Sequence, residues 1–152
     1  MPGFTPKDPD YRARVEESFA RQTFMTSLGV RIADLSPGRC VLEMDRRPDL
    51  CQQHGYVHAG VTTTLADTAA GYASFSLMPK GSSVLTSELK VNLLNPAAGD
   101  TLVAVAEVVK PGRTLTVVKA DVYGVSGADR THVSTMLATM MCLADTSDGK
   151  GR

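Results

Sequence analysis

The 152-residue chain contains no tryptophan, and only four tyrosines and four phenylalanines. So thin an aromatic complement leaves little for stacking nucleic-acid bases or building a sugar-binding platform. Net charge is missing too: 16 basic residues balance 16 acidic ones, with an isoelectric point near 6.8. Nothing in that balance points to nucleic acid or to an anionic membrane surface. The three cysteines, Cys40, Cys51 and Cys142, are odd in number and lack a CxxC spacing. They read as reduced thiols of a cytoplasmic protein and not as a disulfide frame or a zinc site. The opening MPGFTPKDPDY has no basic-then-apolar pattern, so no signal peptide is expected. At this length one domain can bury a core without staples.

What the chain does have is concentrated between Gln52 and Leu77. A turn ending in His58 runs into Ala59 and Gly60, and in the helical pattern that follows Asp67 is the one charge. This stretch has the length of a membrane span. Asp67 together with Thr62, Thr63, Thr64, Thr68, Ser74 and Ser76 argues instead for a core or interface helix. A buried unpaired charge is costly. Asp67 therefore reads as the catalytic carboxylate, with the rest of the chain as its scaffold.

Around this helix the order is simple. Residues 1–9 hold Pro2, Pro6 and Pro9 and should be irregular. From Asp10, the stripe Tyr11, Val15, Phe19 and Thr23 predicts one amphipathic helix ending near Gly29. Ser36-Pro37-Gly38 between Val30–Leu35 and Cys40–Met44 predicts a hairpin. After Pro79-Lys80-Gly81, four Val/Leu/Thr-rich strands are expected at Ser83–Leu94, Leu102–Lys110, Leu115–Gly124 and His132–Leu143. Their regular turn spacing suggests an antiparallel, meander-like sheet. The fold class is α+β, one domain over residues 10–144, with a disordered tail over 145–152. On the helix, Val61, Leu65, Tyr72 and Phe75 should face the sheet. Thr63, Asp67, Ala70, Gly71 and Ser74 form a second, small-residue face that would admit another backbone or an elongated ligand.

His58 and Asp67 lie nine residues apart. On one helix, nine steps of about 100° put them on opposite sides and roughly 13 Å apart along the axis. Either the two are unrelated, or a site is assembled from two copies of the chain. His54 reads as a solvated loop residue and His132 as structural. Cys51 has no neighbouring base and reads as a plain thiol. Met136, Met140 and Met141 read as core or interface filler. No metal spacing is present.

The run Gln52-x5-His58-Ala59-Gly60-x6-Asp67 resembles the hotdog-fold acyl-CoA thioesterases of the phenylacetate-pathway and 4-hydroxybenzoyl-CoA types. Those carry Asn or Gln, then His-Gly-Gly, then Asp or Glu at these intervals. Thr86–Pro96, Gly99-Asp100 and Pro111–Leu115 look like the later strand and turn segments of the same family, so the resemblance covers about residues 25–144. It implies a hotdog fold with a long central helix wrapped by the sheet and an extra N-terminal helix. It also implies hydrolysis of a small aromatic or medium-chain acyl-CoA, with no cofactor beyond the coenzyme A of the substrate. Asp67 would be nucleophile or general base, and the Ala59 N–H would polarise the thioester oxygen. Gln52 would sit by the thioester or the water, His58 would orient the turn, and Thr86 would hold the attacking water. Lys110, Gly112, Arg113 and Thr114 would receive coenzyme A. The active unit would be a homodimer, paired into a tetramer. Two departures are visible: Ala59 stands for the first Gly, and Gln52 for the commoner Asn. The rival expectations are a hotdog-fold hydratase or dehydratase, whose His-Phe-Pro-Gly motif is absent, and a non-catalytic acyl-CoA-binding module.

Overall fold

The structure, a computed structural model, describes residues 3–146. Two short helices, α1 (Tyr11–Ala20) and α2 (Thr23–Leu28), precede the hairpin β1 (Arg31–Ser36) and β2 (Arg39–Asp45). After one 3₁₀ turn at Pro48–Leu50 comes the long helix α3 (Ala59–Phe75). Four strands complete the chain: β3 (Ser83–Leu93), β4 (Thr101–Lys110), β5 (Leu115–Ser126) and β6 (Asp129–Leu143). Residues 147–152 of the expected tail lie outside the described residues.

The single N-terminal helix expected to run to Gly29 is two helices. The stripe is continuous, but Gln22 takes an extended backbone (φ −78°, ψ 93°) and restarts the helix at Thr23. Gly29 does end the second helix, in the left-handed conformation (φ 70°) that glycine adopts without penalty. Val15 is fully buried, and Phe19 meets Tyr72 edge to face at 5.8 Å. Arg14 binds α1 to the far end of α3. Its guanidinium donates to the carbonyls of Phe75 (3.0 Å), Met78 (2.7 Å) and Pro79 (2.5 Å), groups a helix terminus leaves without intrahelical partners.

All six strands form one antiparallel sheet in the order β1-β2-β4-β5-β6-β3. This corrects the meander. β4, β5 and β6 are consecutive neighbours, but β3 crosses to the outer side of β6 and becomes an edge strand. Along β4, Leu102, Ala104, Ala106 and Val108 are buried while the residues between them are only half-buried, the alternation of a sheet with one covered face. The covering element is α3, which packs Leu65, Ala66, Ala69, Ala70 and Ala73 against it. Four alanines there let the sheet curl closely around the helix. An α+β sheet wrapped on one long helix is the hotdog fold.

A bulge interrupts β3. Thr86 pairs with Met140 and Glu88 with Thr139, so Ser87 has no opposite residue. Thr86, Leu89 and Val91 therefore stand opposite Met140, Ala138 and Met136, on the helix side of the sheet. Glu88 and Lys90 point away from it.

Candidate active site

The start of α3 is built by its own backbone and by His58. His58 is the N-cap rather than part of the helix, and its Nδ1 accepts the Gly60 N–H at 2.9 Å. Its own N–H donates to the Leu50 carbonyl at 2.9 Å, which fixes the entry of the chain. Ala59 is the first helical residue and keeps a negative φ. Among the described residues its N–H has no hydrogen-bond partner. Gln52 folds its side-chain oxygen back onto the His54 N–H at 2.5 Å. Gln52, His58 and Ala59 line one opening of about 600 Å³, together with Tyr56 and Leu93–Ala97. The positive end of the helix dipole and an unpaired amide make this a place where an oxygen developing negative charge is stabilised.

Asp67 lies two and a half turns further on, and its surroundings are different. It is half-exposed, not buried as its apolar neighbours suggested. Its Oδ1 accepts the Thr86 hydroxyl at 2.7 Å, and that hydroxyl oxygen lies 3.5 Å from Met140 Sδ. The other carboxylate oxygen is left to face a cavity of about 200 Å³. The bulge lets Thr86 share the helix side of the sheet with Leu89 and Val91. Asp67 and the Gln52–Ala59 turn thus line separate openings of one chain.

The cavity beside Asp67 has walls that sequence reasoning missed. Ser18 and Gln22, from α1 and the link to α2, line it opposite Gly71 and Tyr72. Gln22 Nε2 donates to the Tyr72 hydroxyl at 2.8 Å, and Ser18 Oγ lies 3.2 Å from the same oxygen. Their spacing of four beside Phe19 was the available signal, and it reads as ordinary helix amphipathicity. One expectation for α3 is corrected. Ala70 and Ser74 belong to the buried side, with Ser74 Oγ donating to the Ala70 carbonyl at 3.0 Å, so the open stripe is Thr63, Thr64, Asp67, Thr68 and Gly71. Phe75 is 1% exposed and packs between Tyr72 and Arg14.

Lys110, Gly112, Arg113 and Thr114 form the exposed turn between β4 and β5. Neither Lys110 nor Arg113 takes part in an ion pair among the described residues. A Cβ on Gly112 would stand 2.1 Å from the Leu115 carbonyl oxygen, so the turn closes only with glycine there. Leu115, Met141 and Leu85 are neighbours across β5, β6 and β3. The basic turn therefore sits at the Thr86 end of the sheet, roughly 10 Å from β3 at two strand spacings, away from the Gln52 turn.

The remaining candidates have structural surroundings. His132 Nε2 lies 3.1 Å from Asp121, whose carboxyl is lowered by hydrogen bonds from Lys119, Thr135 and His132 in spite of the opposing effect of burial. Burial pushes the Cys40 thiol up to about 12. Cys51 Sγ faces the Arg47 carbonyl at 3.3 Å. Met136 and Met140 are core residues. Among the described residues, no group of three or more His, Cys, Asp or Glu side chains is placed to hold a metal, and no helix is long and apolar enough to cross a membrane.

A hotdog fold whose central helix begins with a free amide and carries a hydroxyl-bonded carboxylate on its open stripe is the framework of a thioester hydrolase. Residues 54–129 match the thioesterase superfamily, and the chain belongs to that family. It is similar to a thioesterase family protein of Silicibacter pomeroyi, with 51% identity and a TM-score of 0.87 over 88% of this chain and 98% of the other. A Halobacterium salinarum protein that carries a provisional esterase name is 38% identical over 128 residues, 80% of this chain and 82% of its own. The acyl-coenzyme A thioesterase PaaI of Escherichia coli is 34% identical over 88 residues, 57% of this chain and 61% of its own.

Proposed function

We propose that the protein hydrolyses a small aromatic or medium-chain acyl-coenzyme A to the free acid and coenzyme A, at a site completed by a second copy of the chain. The observation that carries this reading is the division of α3: an unpaired Ala59 amide lines one opening and the Asp67 carboxylate lines another. Each is half of what thioester hydrolysis needs. In a two-fold dimer the first turn of one α3 faces Asp67 of the other. The edge strand β3 supports such a contact. It is eleven residues long and leaves Leu89 41% and Leu93 60% exposed on the helix side, a surface that costs free energy to leave in water. A pair of such dimers gives the homotetramer.

The thioester oxygen sits on the Ala59 N–H, with Gln52 beside it and His58 holding the turn. Asp67 either attacks the carbonyl carbon or takes a proton from a water that does, with Thr86 holding carboxylate and water in line. The tetrahedral oxyanion is stabilised at the helix start. Its collapse breaks the C–S bond, and the coenzyme A thiolate takes up a proton. Water is the one co-substrate, and no metal or redox group takes part in the proposed reaction. Lys110 and Arg113 receive phosphates of coenzyme A, with Gly112 and Thr114 letting the backbone approach. Support for this acyl carrier comes from the name of the Escherichia coli relative. Three free cysteines fit a reducing compartment, so the enzyme is read as cytoplasmic.

The test is complementation. Asp67→Asn removes the carboxylate. Ala59→Pro removes one N–H at the first helical position, where proline fits without strain. Co-expressed, the two inactive variants form mixed dimers in half of all pairings, each with one intact shared site of two. About a quarter of wild-type activity is expected from that symmetry. Activity no higher than the sum of the separate variants would sink the shared site.

A further inference from the structure

We infer that Asn95 is a positioning residue, and that its side-chain amide holds the Ala59 N–H where the thioester oxygen arrives. This rests on the reading of that N–H as the oxyanion donor.

The turn that delivers Ala59 is held between two other segments. Val57 N–H donates to the Ala97 carbonyl and His58 N–H to the Leu50 carbonyl, each at 2.9 Å. The next N–H is that of Ala59, which has no partner among the described residues. Its direction is therefore set by where Leu50 and Ala97 stand. Leu50 belongs to the 3₁₀ turn, beside Arg47, which donates to the Ser27 carbonyl at 3.0 Å. Ala97 belongs to the link between β3 and β4, where neither helix nor strand fixes the backbone.

Asn95 supplies the missing anchor. A bulge in β6 leaves Val133 opposite nothing on β5, between the pairs Val122–Ser134 and Tyr123–His132. The Val133 carbonyl accepts the backbone N–H of Leu94 at 2.8 Å and of Asn95 at 3.2 Å. Those two bonds are open to almost any residue at position 95. The third needs this side chain: Asn95 Nδ2 donates to the His132 carbonyl at 2.9 Å. Pro96 follows with no N–H to give, and Ala97 comes next with its carbonyl on Val57. The other part of the Gln52–Val57 turn is fixed separately, by Arg46 on the Gly55 carbonyl at 2.6 Å. The share of Asn95 is the end that carries Ala59.

Asn95 is exposed, so its loss strands no side-chain group in the core. The cost should fall on geometry and not on stability. An oxyanion donor works mainly in the transition state, and misplacing a group by about 1 Å costs up to about a hundredfold. A looser turn should therefore lower kcat and spare KM.

The experiment uses Asn95→Ala, which removes the amide, and Asn95→Asp, which keeps its size and loses its N–H donor. Thiol release gives kcat and KM for the acyl-CoA turned over fastest in an aromatic and medium-chain panel. Amide hydrogen exchange reads the turn itself, without substrate. Both variants should lower kcat about tenfold, hold KM within about twofold and keep Tm. The Val57 amide should exchange about tenfold faster while the Leu42 amide in β2 is unchanged. Val57 exchange as slow as in the wild type overturns the inference. So does a uniform rise at Val57 and Leu42 with a fall in Tm, which marks a merely structural residue. A loss of kcat with Val57 exchange unchanged makes Asn95, which lines the same opening, a substrate contact and overturns it too. Ala59→Pro separates the two levels. If it cuts kcat while the Asn95 variants do not, only the role of Asn95 fails; if it leaves hydrolysis intact, both fail.

Discussion

The two parts of α3 assigned to the proposed site are built on opposite principles. Its first turn offers a backbone group: the Ala59 amide is oriented by helix geometry, and His58 secures that geometry by capping Gly60. Further along, the helix offers a side chain, and the Asp67 carboxylate is oriented by a hydroxyl from another element, Thr86 on β3. A backbone donor tolerates an exchange of side chain, which explains how alanine can stand at position 59 where relatives of the resembled types have glycine. A carboxylate has no such freedom. The first turn should therefore be sensitive to loss of an N–H, and the Asp67 region to loss of specific atoms.

Four measurements would break or sharpen this contrast. Asp67→Asn should lower kcat about a thousandfold, in the range of a lost general base, while Ala59→Ser, which keeps the N–H, should cost less than about tenfold against the hundredfold or more of a lost oxyanion donor. The half-exposed position of Asp67 means that thermal midpoints should hardly move; a large drop in Tm would point to a structural carboxylate. Thr86→Val should lower kcat about tenfold with little change in KM, as expected for losing one hydrogen bond to a charged group, and Thr86→Ser should restore most of it. Arg113→Ala should leave kcat alone and raise KM for the acyl-CoA about threefold, less at high salt because the pairing is exposed. The smallest effect belongs to the cysteines. Cys51→Ser should keep kcat within about twofold, since a hydroxyl can also donate to the Arg47 carbonyl. At pH 8 iodoacetamide should spare Cys40, whose thiol ionises only near 12.

Much of the frame was readable from one strand or helix at a time. Helix α3 announced itself by its lack of charge, and the hairpin turn by Ser36-Pro37-Gly38. The four late strands began within three residues of their expected starts. These are local signals of period and turn chemistry. The position of β3 at the far edge was not local. Alternation says that a strand has two faces and nothing about which strand lies beside it, so the crossover past β4 and β5 was invisible. The break at Gln22 failed for a related reason: the apolar stripe continues through it, and only the backbone changes direction. The same break brings Ser18 and Gln22 to the Asp67 cavity, where no motif marked them. Gln52 and Thr86 were marked by the resemblance, while the nine-residue spacing of His58 and Asp67 already set those two apart on one chain, where they line different openings.

The bulge at Ser87 has an electrostatic consequence. Were β3 regular, Glu88 would follow Thr86 on the helix side and Lys90 would come after it, while Leu89, Val91 and Leu93 would turn outward. A second carboxylate would then stand close to Asp67, and the buried seam of the edge strand would be charged. One unpaired residue prevents both. Glu88 instead accepts the Thr139 hydroxyl at 2.8 Å on the outer face. Were Ser87 paired instead of bulged, β3 would keep every residue and reverse which of them the cavity meets. The single negative charge in that cavity is thus a matter of strand count, set by one serine that pairs with nothing.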